Sequence, residues 1–189
     1  MSNKQYISAQ QLLDDSFALG LQVLEDAYVP DFIIGVWRGG TPVGIAVQEL
    51  LAYFDITSDH IAVRTSLYKG IEQRGSLVEV YGLDYVINRV NAASRILLVD
   101  DVHDSGLSLQ QIVQDLTIAC QDRMPMVRLA TPYYKPANNK VGKVPDYFVH
   151  ETDDWLVFPH ELVGLTAQEI LGNKPGVDVL KEKLMAKVD

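Results

Sequence analysis

One cysteine, Cys120, stands among 189 residues. No disulfide can form within the chain, and a reducing, cytoplasmic setting is expected. A basic excess is also missing: 16 lysines and arginines stand against 25 aspartates and glutamates, for a formal charge of −9. That balance excludes a general nucleic-acid binder, which needs a basic face. It also makes any polyanionic ligand depend on Mg2+ and on a local cluster of cations. No apolar run approaches the ~20 residues that span a bilayer, so no membrane partner is expected. The four histidines, His60, His103, His150 and His160, show no zinc-ligand spacing, and no Ser/Cys–His nucleophile arrangement stands out. Repeats, low-complexity tracts and long linkers are absent. With 48% hydrophobic residues, the chain can build a single domain, 1–189, with a substantial core.

The patterning is of alternating strands and helices. Ser8 and Gln11 have capping-box spacing, and Leu12, Leu13, Phe17, Leu21 and Leu24 line one helical face that runs to about residue 27. Residues 32–36 read as a buried strand, 37–42 as a loop and 43–53 as an apolar helix. A strand over 61–64, a mobile loop or hairpin over 66–81 and a helix over 84–91 follow. Residues 95–99 are a β-branched, fully apolar run, as expected of a buried parallel strand. Leu109, Ile112, Val113 and Leu116 then mark a helix. Residues 126–130 and 147–149 supply further strands. This order predicts an α/β fold with a doubly wound parallel sheet. Residues 133–162 carry polar and aromatic groups with little periodicity. Together with the N-terminal residues they are expected to form a small hood subdomain above the carboxyl edge of the sheet.

The chemistry concentrates where the strand at 95–99 ends, in Asp100-Asp101-Val102-His103-Asp104-Ser105-Gly106-Leu107-Ser108. A turn through Asp-Ser-Gly into a helix offers backbone N–H groups, two hydroxyls and a helix N-terminus, which suits a phosphate monoester. Adjacent acids at a strand end should leave in opposite directions, one toward the hydroxyls of a ribose and the other toward the water shell of a metal ion. A sugar phosphate meets both demands. Receiver domains of two-component signalling also end a strand in paired acids, but after their first strand; here about 95 residues precede the pair. Arg38-Gly39-Gly40 forms a second strand-to-helix turn, where glycines let the backbone approach a ligand and Arg38 offers donors to a departing diphosphate. Lys135 is a candidate donor to a carbonyl oxygen, and Trp155 a candidate to stack on a planar ring.

With these residues in place, the chain resembles the type I phosphoribosyltransferases, and among them the purine enzymes of the hypoxanthine/guanine/xanthine group. The stretch 99–108 is similar to that family's phosphoribosyl-pyrophosphate signature, and Arg38-Gly39-Gly40 with Pro42 to its pyrophosphate loop. Thr131-Pro132-Tyr133-Tyr134-Lys135-Pro136 resembles the strand end bearing the base-reading lysine, and residues 145–161 resemble the hood. The resemblance implies transfer of a phosphoribosyl group from phosphoribosyl pyrophosphate to a 6-oxopurine. Its cofactor would be Mg2+, and a homodimer or homotetramer is implied. Arg38 and Asp104 would be catalytic, Asp104 facing the base nitrogen that loses its proton. Asp100 and Asp101 would contact the ribose hydroxyls and the metal's waters. Ser105, Gly106, Leu107 and Ser108 would hold the 5′-phosphate, and Gly39 and Gly40 the diphosphate. Lys135 would donate to the 6-oxo group, Trp155 would stack on the ring, and Glu161 would stand near its 2-position. The loop 66–81 would close over the site. Two other readings stay open: a non-catalytic phosphoribosyl-binding regulator, and the same chemistry on another nucleobase such as a pyrimidine.

Overall fold

The structure, a computed structural model, describes residues 4–68 and 77–186. In chain order its elements are β1 (Lys4–Tyr6), α1 (Ala9–Glu25), β2 (Phe32–Trp37), α2 (Gly40–Tyr53), β3 (Asp59–Tyr68), β4 (Leu77–Tyr81), α3 (Asp84–Ile87), β5 (Arg95–Val99), β6 (Val102–His103), α4 (Leu107–Cys120), β7 (Met126–Tyr134), β8 (Tyr147–Glu151), β9 (Trp155–Val157), α5 (Ala167–Asn173) and α6 (Lys181–Met185). Contacts divide the chain into a larger unit, Leu13–Asp153, and a smaller one, Met1–Leu12 with Asp154–Asp189. Of the expected hood segment, 154–162 lie in the smaller unit with the N-terminal residues, and 133–153 lie in the larger. No helix among the described residues is long and apolar enough to cross a membrane.

In the larger unit the two most apolar runs, β2 and β5, pair in parallel at the centre of the sheet. The strand order is β4-β3-β2-β5-β7-β6, with β8 on the other side of β7, and every pairing is parallel except β3 with β4. Alternation along β2 decides which helix covers which face. Phe32, Ile34 and Val36 share a core with Leu109, Ile112, Leu116 and Cys120 of α4. Gly35 points the other way and lets α2 approach, since a Cβ there would sit 3.4 Å from the Thr41 Cα. Helices therefore cover both faces, as a doubly wound sheet requires. The chain leaves β2 toward β3 and leaves β5 toward β7, on opposite sides. The gap between β2 and β5 is thus a topological switch point, where ligands of such sheets bind.

Several boundaries differ from the sequence pattern. α2 starts at Gly40, inside the expected loop, because Pro42 is tolerated in a first helical turn. The short helix α3 covers only Asp84–Ile87 of the expected 84–91. β7 runs on to Tyr134, because β6 and β8 pair with both of its edges there. β3 and β4 pair antiparallel within the region read as a mobile loop or hairpin; residues 69–76 of that loop lie outside the described residues.

The smaller unit is built on the parallel pair β1–β9. The capping box at Thr166 and Glu169 starts α5, and Ile170 buries itself. Glu169 also meets the Lys4 ammonium at 2.5 Å. The buried Lys174 donates to the Phe158 carbonyl at 2.6 Å.

Candidate functional site

The loops following β2 and β5 stand side by side because those strands are neighbours. β5 stops at Val99, opposite Ala130, and β6 resumes at Val102, opposite Tyr133, in unchanged register along the same edge of β7. Asp100 and Asp101 occupy the break. Asp100 still donates its N–H to the Ala130 carbonyl at 3.1 Å, so the interruption frees side chains without releasing the backbone.

The acids do not diverge as expected from alternation, because the interruption relaxes the pleat. Asp100 accepts the Asp101 N–H at 3.0 Å, their carboxyl groups are in hydrogen-bonding contact, and the Gly40 N–H also donates to Asp100. Removal from water and the neighbouring negative charge hold the Asp100 carboxyl well above its ordinary range. The glycine loop is fitted against this pair. A Cβ on Gly39 would overlap the Asp101 carboxylate, and one on Gly40 would overlap the Val99 carbonyl and stand 2.8 Å from the Asp100 Cα. Arg38 is exposed at the lip of this loop, after a cis Trp37–Arg38 peptide bond.

The N-termini of α2 and α4 follow these two loops, and neither carries a side-chain cap. The first N–H groups of a helix have no partner within it, so each offers donors and a positive dipole end to an anion. At α4 the cap is Gly106 with φ 76°, a conformation that favours glycine. Ser105, Leu107 and Ser108 around it are half-buried.

Lys135 is 8% exposed, its N–H donates to the His103 carbonyl at 3.0 Å, and its ammonium lies 3.8 Å from Asp104 Oδ2. Asp104 stays half-exposed at the start of the loop 104–108. Behind Lys135, the Tyr133 hydroxyl donates to the buried Asp15 at 2.8 Å, and His150 shares that carboxylate at 2.7 Å. The tyrosine and histidine rings stack 5.0 Å apart. This network fixes the adjacent ends of β7 and β8. Burial and the Asp15 carboxylate push the Tyr133 hydroxyl's proton affinity up, so it remains a donor.

The larger unit therefore brings together Arg38, Gly39, Gly40, Asp100, Asp101, Asp104, Ser105, Gly106, Leu107, Ser108 and Lys135. Trp155 and Glu161 belong to the smaller unit. There Trp155 is 57% exposed, with the Lys4 ammonium 5.8 Å above its ring. Glu161 accepts the Phe158 N–H at 3.0 Å. Three features go beyond the sequence reading. The buried Thr41 hydroxyl, next to Gly40, and both ring nitrogens of His103 lack hydrogen-bond partners among the described residues. Asn139 organises a turn against the loop 104–108. A hydroxyl directly after Gly-Gly was the one available signal for Thr41; nothing local marks the other two.

A profile of the phosphoribosyl transferase domain matches residues 2–163. The chain belongs to that family. Among solved structures, this phosphoribosyltransferase is similar to the purine phosphoribosyltransferase of Pyrococcus horikoshii (29% identity, 86% of this chain and 97% of that one, TM-score 0.67). It also resembles a hypothetical protein from Neisseria gonorrhoeae with bound ppGpp (19%, 100% and 99%, 0.67). A third is the xanthine-guanine-hypoxanthine phosphoribosyltransferase of Helicobacter pylori (21%, 84% and 92%, 0.60). No curated protein matches the sequence.

Proposed function

We propose that this phosphoribosyltransferase joins phosphoribosyl pyrophosphate to a 6-oxopurine (hypoxanthine, guanine or xanthine), releasing pyrophosphate. The observation that carries the choice of base is the buried Lys135 beside Asp104. An ammonium has three donors and no acceptor, so it complements a 6-oxo group and opposes the 6-amino group of adenine. A carboxylate beside it suits a ring N–H that must lose its proton. As the bond from C1 of the ribose to the diphosphate breaks, positive charge builds on the sugar and negative charge on the leaving group. Arg38 and the Gly39–Gly40 backbone stabilise that leaving group. Asp104 accepts the proton from the attacking nitrogen as the new C1–N bond forms. The 5′-phosphate rests on the amides and hydroxyls of 104–108. Trp155 and Glu161 are assigned to the ring by the resemblance.

Asp100 and Asp101 fit a magnesium ion that keeps its waters and takes phosphate oxygens. They are hard oxygen donors whose mutual repulsion a cation relieves, and no group of three His, Cys, Asp or Glu among the described residues could hold a metal unaided. When bound, Mg2+ supplies charge neutralisation on the diphosphate.

Lys135→Ala should remove one charge-assisted hydrogen bond, about 1.5–3 kcal/mol, or about tenfold to a hundredfold in kcat/KM for 6-oxopurines. Asp104→Asn should lower kcat strongly and leave binding of phosphoribosyl pyrophosphate intact. Steady-state rates across hypoxanthine, guanine, xanthine, adenine and uracil test both. Unchanged base ratios in the lysine variant would remove it from the base site.

One observation favours a second reading, a phosphoribosyl-site regulator. The Neisseria neighbour with bound ppGpp aligns with the whole chain, including the residues after 163 that the family profile does not reach. Calorimetric binding of ppGpp without turnover of any base would support it, and turnover of a purine would exclude it. A homodimer or homotetramer is proposed for either reading, and sedimentation tests it.

A further inference from the structure

Asn139 lies between β7 and β8, and its side chain makes four hydrogen bonds. Its oxygen accepts the N–H groups of Val141 at 3.0 Å and Gly142 at 3.1 Å. Its nitrogen donates to the Tyr134 hydroxyl and to the Lys143 carbonyl, both at 3.1 Å. One amide thereby fixes the turn 139–143 and ties it to the end of β7. The turn is pressed against the phosphate loop at two points. The Lys140 N–H donates to the Ser105 carbonyl at 3.0 Å. The Val141 Cγ2 stands 2.5 Å from where a Cβ on Gly106 would be. His103 Cε1 and Nε2 stand 2.6 and 2.8 Å from the same point. His103 is 1% exposed and its ring meets Tyr134 edge-on at 5.5 Å. Gly106, the left-handed residue on which the direction of the loop's amides depends, thus packs against both a core ring and the turn 139–143.

We propose that Asn139 is a positioning residue for the 5′-phosphate subsite. It holds Val141 and the Lys140 amide against Gly106 and Ser105, so that the amides of 105–108 keep one orientation. The proposal rests on the reading that this loop cradles the 5′-phosphate. It adds that the loop's geometry depends on a turn about 35 residues downstream in sequence as well as on the loop's own residues.

Isothermal calorimetry with two probes in the presence of Mg2+ tests it. Ribose 5-phosphate reports the 104–108 subsite and pyrophosphate reports the 38–40 subsite. Asn139→Ala should weaken ribose 5-phosphate about tenfold, the scale of supporting residues around a binding group, and leave pyrophosphate within about twofold. The KM for phosphoribosyl pyrophosphate should rise to match, with kcat nearly unchanged. Asn139→Asp, which keeps the acceptor for Val141 and Gly142, should restore part of the affinity. Equal affinity for ribose 5-phosphate in variant and parent, or equal weakening of both probes, would overturn the proposal. Should Asn139→Ala fail to fold, Val141→Ala removes the Cγ2 contact with Gly106 without loosening the backbone and carries the same test. A parent protein that binds no ribose 5-phosphate would overturn the underlying reading instead.

Discussion

A single methyl group separates two outcomes at Gly39 and Gly40. Gly39 has φ −64° and ψ −35°, which alanine adopts freely, so its need for glycine is one of space alone. The obstacle is the carboxylate of Asp101, a side chain that can turn aside. Gly39→Ala should stay within about 1 kcal/mol of the parent in urea unfolding, yet displace Asp101 and weaken Mg2+-dependent binding of phosphoribosyl pyrophosphate at least about tenfold. The obstacles at Gly40 are the Val99 carbonyl and the Asp100 Cα, main-chain atoms at the end of a central strand that cannot turn aside. Gly40→Ala should therefore cost about 1–3 kcal/mol of stability, as overpacking does. Calorimetry and urea melts on the two variants check both outcomes; normal ligand binding by the first would show that Asp101 is not needed where it stands. The residue types of this site were legible in sequence because each cluster is contiguous: Asp-Asp, Asp-Ser-Gly and Arg-Gly-Gly. Its fit was not, because the clash of Gly39 with Asp101 joins positions that only the pairing of β2 with β5 brings together.

Among the elements, the buried strands and long helices were readable from apolar periodicity, since each is covered by a partner that demands it. The elements of the smaller unit were not. β1 and β9 have three residues each, too few for a pattern. α5 did carry a legible signal, the Thr166-to-Glu169 capping box. Glu169 also gives this unit a dependence on pH. The hydrogen bond from Lys4, then that from the Thr166 N–H, lower its carboxyl from the ordinary 4.5 to about 2. A carboxyl with a depressed folded value stabilises the fold fully above its unfolded value and loses that contribution as pH falls through the folded one. The window is therefore from about pH 4.5 down to about 2. Trp155, over which Lys4 sits at 5.8 Å, reports it, because the chain has two tryptophans and Trp37→Phe leaves it alone. Its emission should change across that window, and adding Glu169→Gln should abolish the step. An identical acid transition with glutamine in place would refute the assignment to Glu169.

For the molecule as a whole, a net charge of −9 must be reconciled with a polyanionic ligand. In the proposed site, short-range attraction comes from Arg38, Lys135 and two helix N-termini. Long-range steering is set by the total charge, and at this sign it is repulsive. The two act over different distances, so salt separates them: the Debye length falls from about 30 Å at 0.01 M to about 8 Å at 0.15 M. Screening should relieve the long-range repulsion first. The association rate constant for phosphoribosyl pyrophosphate, followed by stopped-flow fluorescence, should therefore rise with ionic strength, about twofold between about 0.02 and 0.2 M. With Mg2+ bound, the ligand carries less charge and the rise should shrink. The dissociation rate, which reports the short contacts, should increase with salt in both cases. An association rate that falls with salt, as at a basic site, would mean that the cations of the site outweigh the rest of the surface, and that the acidic balance of the chain has no part in how the donor arrives.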